Sequence, residues 1–93
     1  MKAKDLLADE GRWMKEGFAR AADGGSIMPD SPYAVRWCLS GALRRCYPEE
    51  FDFRRAYDNV RALLPGNQIL SEWNDLPGTT FADVKALLER ADV

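Results

Sequence analysis

The chain has 93 residues, 46% of them apolar and 30% charged, with a formal charge of −2 and no histidine. That length supports one domain around one core and leaves little room for a deep enclosed pocket, and the apolar share excludes disorder along most of the chain. No apolar run approaches the ~20 residues of a spanning helix, and acids and bases are interspersed, with no basic stripe to mark a nucleic-acid binder.

The opening Met1-Lys2-Ala3-Lys4-Asp5 lacks the apolar core of a signal peptide. The expectation is a cytoplasmic protein, complete from Met1 and unprocessed. Ala3, Leu6 and Leu7 share one side of a short amphipathic helix over residues 3–11, which Gly11 weakens or ends. Apolar residues then flank Asp23-Gly24-Gly25, a strong turn signal because glycine accepts positive φ without steric cost. The pattern predicts a short β-hairpin, Glu16–Arg20 with Ser26–Met28, an irregular loop being the alternative. Asp30, Ser31 and Pro32 read as a helix start. The spacing of Val35, Cys38, Leu39, Ala42, Leu43 and Cys46 predicts a central helix over Pro32–Cys46, with Trp37 on its opposite side. A third helix is predicted over Asp52–Leu64, stopped by Pro65-Gly66-Asn67, and a helical turn over Ile69–Trp73. The last helix is capped by Thr80 with Asp83 reciprocating, and buries Phe81, Val84, Leu87, Leu88 and Ala91. The expected fold is mainly α: a bundle of four to five helices with a hairpin near residues 16–28, forming a single domain over 1–93.

Without histidine, Ser-His-Asp and Cys-His catalysis are excluded, as is the commonest transition-metal ligand. Cys38 and Cys46 on one helix would lie ~12 Å apart, beyond the ~4.4–6.8 Å of a disulfide, and two cysteines do not make a zinc site. They read as small core residues in a reducing compartment. A nucleophilic Cys38 is the alternative, opposed by burial that would raise its pKa. No cofactor or metal is expected.

Trp13, Trp37 and Trp73 read first as core pillars and second as an aromatic recognition surface. Trp37 is the strongest candidate for the second role, with Arg36 and Arg44 within about a turn. Asn74 and Asp75 most simply fix a loop before Pro77-Gly78. As a site, Asn74 would read an amide or base edge and Asp75 would accept from a hydroxyl or amine. The candidate binding set is therefore Arg36, Trp37, Arg44, Trp73, Asn74 and Asp75. Arg44-Arg45 and Arg54-Arg55 could hold a phosphate, but adjacent helical residues point ~100° apart, so neither pair makes one fork.

With Ala21-Ala22-Asp23-Gly24, Trp37-Cys38-Leu39-Ser40-Gly41-Ala42 and Trp73-Asn74-Asp75 in that order, the chain resembles a bacterial and phage family known as domain of unknown function 6197. The resemblance covers most of the chain beyond Trp13 and implies a fold and a prokaryotic or phage context, but no mechanism. The leading functional expectation is a non-enzymatic binding protein with a protein partner, for instance a phage-type inhibitor of a bacterial protein. Homodimerisation is a further possibility for its spare aromatic area. The alternatives are a small-ligand or nucleotide binder using Trp37, Arg36, Asn74 and Asp75, and last an enzyme built on carboxylates and Cys38.

Overall fold

A computed structural model describes all residues, 1–93. Five α-helices and two strands follow in the order α1 (Ala3–Leu6), β1 (Ala19–Ala21), β2 (Ala34–Trp37), α2 (Leu39–Cys46), α3 (Glu50–Arg61), α4 (Leu70–Asp75) and α5 (Phe81–Ala91). Short 3₁₀ turns occupy Glu10–Arg12 and Pro65–Asn67. The fold is a small mixed α/β domain with a two-stranded antiparallel sheet. This corrects the expected mainly-α bundle.

The correction turns on one segment. The first turns of the expected central helix are instead strand β2, and α2 begins only at Leu39. The β-branched and aromatic residues Tyr33, Val35 and Trp37 favour extended backbone, and the β1 edge gives their amides partners. β1 pairs with β2, with Ala19 opposite Trp37, Arg20 opposite Arg36 and Ala21 opposite Ala34. Val35 is left over as a bulge, which puts Val35 and Arg36 in succession on the exposed side. Ser26, the expected strand partner, makes only an isolated bridge to Arg20. Arg20 closes this turn by donating to Ser26 Oγ and to the carbonyls of Gly24 and Glu16.

The first helix is also shorter than its apolar spacing predicts. It stops at Leu6, and the Asp9 side chain caps a separate 3₁₀ turn by accepting from the Gly11 N–H. α3 and α4 lie close to their expected spans. α5 matches its expectation, with Thr80 and Asp83 forming a complete capping box.

The core joins Leu6 and Leu7, Leu39, Ala42 and Leu43 of α2, Ala56 and Val60 of α3, Leu70 of α4, and Val84, Leu87 and Leu88 of α5. The chain ends meet beside it. Val93 is buried, and its carbonyl accepts from the Ala3 N–H and from the Tyr47 hydroxyl. On the surface above, Lys2 and Lys4 both reach the Asp92 carboxylate, at 2.9 and 2.6 Å.

Those two ammonium groups hold the Asp92 carboxyl at about 2, below its ordinary 3.8. A lowered folded-state pKa favours the folded form while the group is ionised. The contribution is whole above pH 3.8 and disappears as pH falls toward 2. Asp92→Asn is therefore expected to flatten the loss of stability over that interval, read as urea midpoints against pH, with little change in the shape of the curve at neutral pH.

Candidate functional site

The motif residues meet where β2 turns into α2. Cys38 is the N-cap of α2, and its sulfur accepts from the Gly41 N–H at 3.3 Å. Its own N–H donates to the Phe18 carbonyl. That carbonyl lies so close to α2 that a Cβ on Gly41 would stand 1.9 Å from its oxygen. Glycine is required here for close approach of backbone to backbone. Burial pushes the Cys38 thiol above its ordinary range, the reverse of what a nucleophile needs.

Asn74, fully buried on α4, ties three segments to this junction. Its Oδ1 accepts from Trp13 Nε1 at 2.8 Å and from the Leu39 N–H at 3.1 Å. Its Nδ2 donates to the Met14 carbonyl at 3.1 Å and to Asp75 Oδ1 at 3.0 Å. Both lone pairs and both N–H groups are thus satisfied within the chain. Asp75 Oδ1 also accepts from the N–H of Glu16, holding that residue at φ 62, a region costly for a non-glycine residue.

Trp37 is 4% exposed, with its indole N–H on the Pro29 carbonyl at 2.9 Å and the Arg45 guanidinium over its ring. It is a core pillar and not an exposed platform. Trp73 is half-buried against the core and walls a shallow groove with Leu63, Leu87 and Arg90. Arg36 is exposed beside the bulge, across the sheet from Arg20. The six candidate residues therefore do not converge. Asn74 and Asp75 adjoin each other, Trp37 and Trp73 lie in different packing environments, and Arg44 alone faces the hollow described next.

That hollow, of about 340 Å³, lies between the loops around β1 and the α2–α3 pair. Ser40 and Gly41 line it from α2, Phe18, Met28 and Pro29 from the loops, and Arg44 with Phe53 from α2 and α3. Asp30 completes its edge. Phe18 and Met28 remain 56% and 68% exposed beside it. The Arg44 guanidinium stacks 3.6 Å over the Phe53 ring and pairs with Glu50 at 3.0 Å. Of this groove, sequence reasoning reached Arg44 as a site residue, and Ser40 and Gly41 only as small residues that let a neighbour approach. The available signals were Phe18 and Met28 on the two sides of the Asp-Gly-Gly turn, which were assigned to a hairpin, and a glycine inside α2.

Chemically, the groove offers apolar walls, one hydroxyl, one cation and one anion. No group of three or more cysteine or carboxylate side chains gathers as metal ligands. No helix is long and apolar enough to cross a membrane.

These features define a small mixed α/β domain with an open, largely apolar groove. The chain belongs to a family of unknown function (DUF6197), whose model matches residues 1–92. No curated protein and no solved structure matches it significantly.

Proposed function

We propose that this is a non-enzymatic binding protein of the bacterial or phage-infected cytoplasm, which engages another protein surface through the Phe18–Met28–Phe53 groove. One observation carries the reading: Phe18 and Met28 are left largely in water beside a hollow whose walls are mainly apolar. Isolated exposed apolar residues need no explanation, but a cluster beside a concave surface is characteristic of interaction sites. The charge balance fits a protein partner better than a polyanion. The nucleotide reading rests on Trp37, Arg36, Asn74 and Asp75, and nothing in their arrangement favours it: the indole is buried, the amide is saturated by the fold, and Arg36 is exposed across the sheet from Arg20.

Site-specific photo-crosslinking tests the proposal. A benzophenone amino acid at position 28, irradiated in cells that make the protein, is expected to give discrete adducts absent when the probe replaces exposed Ala86 on α5. A smear identical at the two positions would overturn it.

A further inference from the structure

We infer that a second groove, walled by Trp73 and Arg90, binds a small organic monocarboxylate with an aromatic body, the carboxylate resting on Arg90. It shares no residue with the Phe18–Met28–Phe53 groove, so it stands or falls apart from the proposal above. The hollow, of about 430 Å³, lies between α5, the turn after α3 and the loop after α4. That size falls within the ~300–1,000 Å³ typical of small-ligand sites. Leu63, Leu64, Pro65 and Leu87 give it an apolar wall, completed by the half-buried Trp73 indole.

Two donors in this groove are left over by the fold. Trp13 Nε1 donates to Asn74 Oδ1, and Trp37 Nε1 to the Pro29 carbonyl. Trp73 Nε1 has no such acceptor, and because no buried side-chain nitrogen is unpaired, it must reach solvent. Arg90 is exposed and forms no ion pair. The helical positions that could supply one, three and four residues before it, hold Leu87 and Ala86. The groove's own acid, Asp83, stands two turns away, ~10 Å along α5, with Oδ2 accepting from the Thr80 N–H. The Thr79 hydroxyl is also taken, donating to the Trp73 carbonyl. An uncompensated cation at the rim of an apolar hollow selects an anion that carries an apolar body. A guanidinium takes both oxygens of a carboxylate in one fork, and the indole gives an aromatic ring a face to stack on. With Arg90 the groove's one cation, a second negative charge on the ligand finds no partner.

Titration of the isotope-labelled chain with phenylacetate, followed by NMR at the indole N–H resonances, tests the inference. The Trp73 signal, identified by its loss in Trp73→Phe, is expected to shift saturably with a midpoint on the order of 1 mM. The Trp13 and Trp37 signals, held on internal acceptors, should stay in place. Phenylacetamide keeps the ring without the charge, and acetate keeps the charge without the ring. Each should bind about fivefold more weakly or worse. Arg90→Gln should weaken phenylacetate about tenfold, with Arg90→Lys intermediate because it keeps the charge and loses the fork. Arg90 is exposed, so circular dichroism melts of both variants should match the wild type. A Trp73 signal that does not move at about ten times that midpoint, an equal response to phenylacetamide or acetate, or an Arg90→Gln titration identical to wild type would overturn the inference.

Discussion

Gly41→Ala is expected to destabilise the protein by about 3 kcal/mol or more, although alanine is the better helix former. The propensity gain is at most ~1 kcal/mol. Against it, the new methyl would stand 1.9 Å from the Phe18 oxygen. Overpacking typically costs ~1–3 kcal/mol when neighbours can shift. Here the neighbour is backbone, and its oxygen is also the acceptor for the Cys38 N–H at 3.2 Å. Retreat of Phe18 would break that bond and part β1 from the start of α2. For a domain this size, 3 kcal/mol lowers the melting midpoint by roughly 12–24 °C. Calorimetry checks it, and Ala42 offers no comparison because it is itself buried. The informative control is Gly78→Ala, where a Cβ would meet nothing within 4 Å.

Asn74→Ala is expected to cost at least as much, through a different mechanism. Truncation leaves the Trp13 indole N–H, the Leu39 N–H and the Met14 carbonyl without their partner, and Asp75 loses one donor. A buried polar group left unpaired costs ~1–3 kcal/mol. With three such groups stranded, the low end of that range for each sets an expected total of about 3–5 kcal/mol, measured by urea unfolding. Asn74→Asp separates hydrogen bonding from shape. It keeps an acceptor for Trp13 and Leu39 but turns a second oxygen toward the Met14 carbonyl and the Asp75 carboxylate. It should be as destabilised as alanine near neutrality and should recover on acidification as the buried carboxyl protonates. That trend is opposite in sign to the acid loss expected from Asp92.

These two positions also show what could be read from the chain. α5 was legible because its signals are local: a capping pair three residues apart and an apolar stripe at helical spacing. α3 was legible for the same reason. The segment from Pro32 to Cys46 was not, because its apolar spacing suits a helix while its first half has residues that favour a strand. What decided the matter was non-local: β1, whose Ala21 lies thirteen residues upstream of its partner Ala34, supplied an edge to pair with. Trp37 moved from the expected outer side to the core for this reason, and Val35 moved outward to 40% exposure.

At the site, the ambiguity of Trp73-Asn74-Asp75 had the same origin. The sequence puts an amide next to a carboxylate but does not reveal that Trp13 and Leu39, 61 and 35 residues away, converge on that amide. Ser40 and Gly41 read in the sequence as small enough to let a neighbour approach, and the structure supplies one at Gly41, but its identity, the Phe18 carbonyl, lies in another segment. The exposed groove was hardest to foresee. Phe18 and Met28 have the composition of core residues, and only the folded chain leaves them in solvent.

The most direct test of the account is the double variant Phe18→Ser/Met28→Ser, carried through urea unfolding and through in-cell photo-crosslinking from a benzophenone amino acid at exposed Asp30, which lines the same hollow. Both side chains are mostly exposed, so the account predicts an unfolding midpoint close to that of the wild-type chain, together with loss of the discrete adducts. A variant that folds normally and still gives the wild-type adducts would contradict it.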